Sequence, residues 1–174
     1  MQKLLMILLA FILLSTACKK KTEEPCTATA GSTVASASEE ALVTTYLSSN
    51  GITTAVELEN SGMYYIIEAA GNTKKPTQCN TISVKYAGKL QSGVLFDPAP
   101  STGQTVSTAN FQLGRLIEGW KRALPLVGEG GKMKLYIPPA LGYGAAGLQD
   151  RNTGVIIIPA NQIIIFDMEL TAVN

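Results

Sequence analysis

From residue 62 onward, apolar side chains fall on alternate positions. In TISVKYAG, Ile82, Val84 and Tyr86 point one way while Ser83 and Lys85 point the other, and in KMKLYIP, Met133, Leu135 and Ile137 alternate with Lys132, Lys134 and Tyr136. Near the C-terminus Ile164, Phe166, Met168 and Leu170 repeat the pattern, and residues 63–68 form an earlier run. A period of two puts successive side chains on opposite faces, so these segments read as half-buried antiparallel strands with one face on a core and one in water. Lys132, Lys134 and Tyr136 are expected on the wet face. In LIEGWKRALPLV the period changes: a helix over 118–124 puts Trp120, Ala123, Leu124 and Val127 on one side. This is the element placed to cover the apolar face of the sheet. The fold class is therefore α+β, a curved antiparallel sheet wrapped around one short helix.

Upstream, Ser38, Glu39 and Glu40 precede Ala41, Leu42, Thr45 and Tyr46, a helix start with acidic residues in its first turn, and Asn50-Gly51 ends it. Residues 38–61 read as a helical extension of the main domain at 62–174, its helix over 38–49 either packed beside that domain or serving self-association. Residues 18–37, rich in Lys, Thr, Ser, Ala and Glu with hardly a large apolar side chain, read as a flexible tether. Its KKKTEE run is either a sorting address or solubilising charge.

Residues 1–17 carry Lys3, an apolar run over 4–14, and the small residues Ser15, Thr16 and Ala17 before Cys18. The run is shorter than the roughly twenty residues that span a hydrocarbon core, which favours a cleaved signal over a transmembrane anchor. The stretch resembles a bacterial lipoprotein signal, with Ser15 where the usual motif has Leu. That resemblance implies lipid attachment at Cys18 and a cell-envelope location, expected to be the outer membrane and to face periplasm or cell surface. Cys26 and Cys79 then remain, either bridged or as two free thiols in an exported chain.

Charge and composition narrow the chemistry. With 14 basic and 13 acidic residues spread along the chain, the electrostatic footprint of a nucleic-acid binder is missing. The sequence contains no histidine, which removes the commonest general base and metal ligand, and two cysteines cannot complete a structural zinc site. No metal or cofactor is expected.

Three stretches then carry a resemblance. VKYAGKLQSGVLFD, FQLGRLIEGWKRALPLVGEGGKMKLYIPPALGYG and IPANQIIIFDMEL, in that order over about 110 residues, are similar to the motifs of FKBP-type peptidyl-prolyl cis-trans isomerases. The resemblance implies an FKBP-like sheet and a cavity floored by Trp120. Tyr86, Phe96 and Phe166 would form aromatic walls, and Leu116, Ile117, Ile157 and Ile158 apolar lining, with Ile156 an alternative partner of Ile158. Asp97 and Tyr143 would supply polar groups and the Ile117 N–H a donor to the substrate carbonyl. The implied partners are proline-containing unfolded or exported polypeptides, with macrolides as further candidate ligands. A binding or holdase module that keeps the cleft but not the turnover is the alternative. Three departures bear on preference. Ala109 stands where many relatives carry an aromatic, thinning one wall; the segment between Gly114 and Leu116 is shortened; and GAAGLQDRNTGVI enlarges the loop above the cavity.

Overall fold

The computed structural model describes residues 28–99 and 102–174. The expected signal sequence at 1–17, Cys18 and Cys26 lie outside the described residues. Cys79 is disulfide-bonded; Cys26, its partner in the bridge considered above, is one of the residues not described.

Two α-helices and nine strands follow one another among the described residues: α1 (Ala37–Ser49), β1 (Val56–Glu57), β2 (Tyr64–Ala69), β3 (Thr81–Leu90), β4 (Leu95–Asp97), β5 (Ser107–Gln112), α2 (Glu118–Ala123), β6 (Lys132–Ile137), β7 (Leu148–Gln149), β8 (Ile156–Ile158) and β9 (Ile164–Val173). The main sheet runs β1-β2-β6-β9-β3-β4, with β5 also on β3, and all its pairings are antiparallel. Strands β7 and β8 form a separate two-stranded ribbon. The expected architecture is present: a curved antiparallel sheet, one short helix on it and an N-terminal helix.

The alternating residues do what their period requires. Ile82 and Val84 from β3, Leu135 and Ile137 from β6, and Ile164, Phe166 and Leu170 from β9 converge with Trp120, Ala123 and Leu124 of the α2 region in one core. Helix α2 has only six residues, too short to persist alone, so it is held by tertiary contacts. A Cβ on Gly119 would come within 2.7 Å of the Ile137 side chain. Glycine therefore lets the helix sit down on β6. At the other end, the buried Gln78 donates its amide N–H to the Lys121 carbonyl at 2.7 Å, satisfying an end-of-helix acceptor.

The other face of the sheet is not simply wet, which corrects one expectation. Tyr136 does point away from the core, but it is only 2% exposed because α1 lies over it. Val43 and Leu47 of α1 close a second cluster with Tyr136, Ile163 and Ile165. Burying aliphatic side chains of this size contributes about 1.5–3 kcal/mol each, an upper range that must offset the ordering of thirteen helical residues. The helix also starts earlier than Ser38. Ser36 is its N-cap in a capping box, accepting from the Glu39 N–H while its own N–H donates to Glu39 Oε2 at 2.8 Å. The second oxygen, Glu39 Oε1, accepts from the Ala140 N–H at 2.9 Å and ties the helix start to the segment after β6.

Residues 28–36 depart from the expected tether. Ala35 is buried in the main core and its N–H donates to the Ser61 carbonyl, while Arg122 donates to the Thr33 carbonyl at 2.8 Å. Ala35 is the one buried side chain of this stretch, and most of the others are exposed. Farther along β9, Asp167 pairs with both Lys89 and Lys134 on the adjacent strands at 2.9 and 3.0 Å. Burial alone would raise its carboxyl; the two lysines outweigh that and hold it below the ordinary aspartate range.

Candidate active site

A cavity of about 250 Å³ opens where α2 meets the concave side of the sheet, lined by Tyr86, Phe96, Asp97, Phe111, Leu116, Ile117, Trp120, Tyr143 and Phe166. Trp120 forms the centre. The rings of Tyr86 and Phe166 meet its indole nearly at right angles, with centroids at 5.1 and 5.0 Å, and Phe111 does so at 6.1 Å. Phe96 in turn meets Phe166 edge-on at 5.6 Å. Such edge-to-face pairs are worth about 0.5–1.5 kcal/mol each beyond the area they bury, and they fix ring orientation. One glycine makes the arrangement possible. A Cβ on Gly88 would lie 2.6 Å from the Phe96 ring and 2.8 Å from that of Phe166, so the strand position between them must be bare.

Strand pairing places the polar groups. On β3, Tyr86 is opposite Ser107 of β5, and two residues on, Gly88 is opposite Asp97 of β4. Both short strands use the same edge of β3, so Asp97 and Ser107 meet where one gives way to the other. The Asp97 carboxylate accepts from the Tyr86 hydroxyl at 2.8 Å on Oδ2 and from the Ser107 hydroxyl at 2.7 Å on Oδ1. Each oxygen thus has its own donor. Burial, and then the bond to Asp97, push the Tyr86 hydroxyl far above the ordinary tyrosine range, and burial followed by the Asp97 charge raises Tyr143 as well. Both remain O–H donors at neutral pH.

Besides the buried Trp120 indole N–H, which has no partner among the described residues, two donors of cavity-lining residues are uncommitted there. The Ile117 backbone N–H, at the N-cap of α2 with extended φ and ψ of −59° and 152°, has no protein acceptor, although the Ile117 carbonyl accepts from Trp120 and Lys121. The Tyr143 hydroxyl likewise has no partner among the described residues. The site is an aromatic bowl with one held carboxylate and unspent donors on Ile117 and Tyr143. Among the described residues no cluster of side chains is suited to a metal ion.

Residues 72–171 match the profile of the FKBP-type peptidyl-prolyl cis-trans isomerases. The chain belongs to that family. It is 40% identical over 119 residues to a probable FKBP-type peptidyl-prolyl cis-trans isomerase of Haemophilus influenzae, covering 68% of this chain and 46% of that protein. It is 36% identical over 119 residues to the FKBP-type isomerase FkpA of Escherichia coli K12, covering 68% and 40%. The chain therefore spans less than half the length of these curated relatives. Among solved structures, FkpA from Escherichia coli superposes with a TM-score of 0.63 at 34% identity over 79% of this chain and 60% of that one. A peptidyl-prolyl isomerase from Pseudomonas syringae gives 0.62 at 27% identity, over 83% and 99%.

Within this FKBP-type domain the structure brings together Tyr86, Phe96, Asp97, Leu116, Ile117, Trp120, Tyr143 and Phe166. It does not bring in Ile157 and Ile158. Ile158 is 1% exposed and belongs to the core, while Ile157 lines a neighbouring groove. Both stand on β8, which pairs with β7, and Ile158 shares the core cluster of Trp120 and Phe166. Two cavity residues escaped the sequence reading. Phe111, on the same face of β5 as Ala109, stands against Tyr86 and Trp120. Its signal was present, since it opens the FQLG motif. Ser107 had none: a lone serine before a strand shows no partner until the pairing register is known.

Ser107 is a positioning residue for Asp97, and its removal is expected to show as such. Hydrogen bonds to a charged group are worth about 1.5–3 kcal/mol, with water recovering part, so Ser107→Ala should lower kcat/KM on a proline peptide about tenfold. Ser107→Thr, which keeps the hydroxyl, should recover most of it. Equal rates for the alanine variant and the parent would show that Tyr86 alone orients the carboxylate.

Proposed function

We propose that this chain catalyses cis-trans rotation about X-Pro peptide bonds in exported polypeptides, with the amide twisted over Trp120. What carries this reading is the pairing of a desolvated aromatic floor with two uncommitted donors at its rim. Rotation breaks no bond and moves no proton, which suits a chain without histidine. The obstacle is amide resonance, a barrier of about 18–20 kcal/mol. Twisting uncouples nitrogen from carbonyl and lowers the charge separation. Water stabilises the planar, polarised amide better than hydrocarbon walls do, so entry into the bowl favours the twisted form.

Proline suits the floor because its ring brings no N–H to be desolvated. The Ile117 N–H and Tyr143 hydroxyl can take the substrate carbonyls, and Asp97, held by Tyr86 and Ser107, faces the rotating carbonyl carbon. Magnitudes rank these contributions. Two hydrogen bonds at about 1 kcal/mol net each fall well short of the roughly 8 kcal/mol that even a millionfold acceleration requires. The apolar surroundings and their fit to the twisted state must supply most of it.

Trp120→Leu should therefore lower kcat/KM more than Asp97→Asn in a proline-peptide isomerisation assay, by about a hundredfold against about tenfold. Circular dichroism would establish that both variants are folded. The pH profile is expected to be flat from about 6 to 8, since no imidazole titrates there. The raised tyrosines act with the same sign: their donor form contributes fully below about pH 10 and is lost only as pH climbs through their raised values. A folded Trp120→Leu protein with unchanged turnover beside a dead Asp97→Asn would replace desolvation by a charge-driven mechanism.

We propose further that the chain is anchored in the cell envelope through lipid on Cys18, on the strength of the apolar run at 4–14 and the small residues before the cysteine. Cys18→Ser should abolish incorporation of labelled fatty acid and leave an unprocessed precursor. Continued labelling of the variant would refute the anchor.

A further inference from the structure

Phe96 is a wall shared by two depressions. On its far side a groove of about 430 Å³, larger than the cavity itself, runs between the β3–β4 hairpin and the β7–β8 ribbon. Its apolar lining comes from Val94, Leu95, Ala99, Val155, Ile156 and Ile157. Val94, Val155 and Ile156 are 54%, 60% and 66% exposed, which makes them costly to leave in water. Single exposed aliphatics are ordinary. Three around one groove form a patch of the kind that marks an interaction surface.

Among the described residues the only ionisable group on this lining is Asp150, one oxygen of which is engaged in its own turn. Its Oδ1 accepts from the Asn152 and Thr153 N–H groups at 2.8 and 2.9 Å, which also holds its carboxyl below the ordinary range. The rest of the described lining is uncharged, and most of it is aliphatic. The lining comes largely from the enlarged loop: the Asp150 N–H to Val155 carbonyl bond and the β7–β8 pairing give that loop an ordered form, which presents Val155 and Ile156 outward.

We propose that this groove extends the substrate site and takes apolar side chains of an extended, unfolded polypeptide whose proline sits over Trp120. Continuity across Phe96 decides the occupant. A chain leaving the cavity on that side passes directly onto the groove, and successive side chains of an extended segment alternate, so every second residue faces it. The substrate class is then proline segments flanked by Leu, Ile, Val or Phe, the residues an unfolded protein exposes and a folded one hides. This rests on the isomerase reading above.

The test uses the full chain, its Val94→Ser/Ile156→Ser double variant, and two fluorescein-labelled peptides with the same central Ala-Pro, one flanked by Leu and Ile and the other by Ser and Gly. Both substituted side chains are exposed, and thermal melting checks that the fold is kept. The parent should bind the apolar-flanked peptide about tenfold more tightly in fluorescence anisotropy and turn it over with a correspondingly higher kcat/KM. The double variant should lose that preference while its kcat/KM on the Ser/Gly peptide stays within about twofold of the parent. A preference that survives the double substitution overturns the proposal, as does an equal loss on both peptides. A parent dimer in sedimentation that the substitutions dissociate, with peptide preference unchanged, would assign the groove to a second copy instead. If the parent binds but isomerises neither peptide, the isomerase reading fails and the anisotropy comparison still decides what the groove takes.

Discussion

Everything around the site depends on aromatic rings meeting Trp120 edge-on. The indole is 3% exposed, held between Tyr86, Phe111 and Phe166, and these come from three different elements, β3, β5 and β9. Their mutual orientation sets how α2 lies on the sheet and how deep the cavity is. Two glycines make room for it. Gly119 admits the helix to β6, and Gly88 admits the Phe96 and Phe166 rings to the face of β3. At either position a methyl group would have to displace a side chain in the packed interior, where volume changes are poorly tolerated.

The same sheet serves two purposes on its two faces. Its concave side carries the aromatic core and the cavity, while its other side is covered by α1 through Val43 and Leu47. Beyond the helix, that side is polar, with Asp167 bridging Lys89 and Lys134. Exposed pairs of this kind contribute little to stability, a few tenths to about 1 kcal/mol, so the two apolar clusters hold the domain. The charge on the functional side is the half-buried Asp97. That carboxylate is tolerated because two hydroxyls meet its two oxygens.

Strands β3, β6 and β9 were legible because each keeps strict alternation over a face that is buried along its length. Helix α2 was legible because Trp120, Ala123, Leu124 and Val127 share a side. What a periodic pattern cannot show is what covers the opposite face. Tyr136 therefore read as exposed, although its position on the sheet was right. Strand β5 carries Ser107, Thr108 and Asn110 and has too little apolar contrast to announce itself, so Ser107 and the role of Phe111 emerged only from its pairing with β3. Ile158 was assigned to the cavity by resemblance, and the structure buries it in the core cluster that Trp120 belongs to. Within the stretch read as a tether, Ala35 and the Thr33 carbonyl engage the domain, because small side chains give no sign of whether a neighbouring surface will hold them.

A reaction carried by desolvation and orientation has no proton in flight at its transition state, whereas a mechanism in which Asp97 or a tyrosine exchanges a proton with the amide does. The solvent deuterium isotope effect on kcat/KM for a proline peptide separates the two directly, measured on the plateau of the pH profile with the full chain. A ratio of about 1 is expected for rotation over a dry aromatic floor. A ratio of about 2 or more would mean that a proton moves in the rate-determining step, and would contradict it.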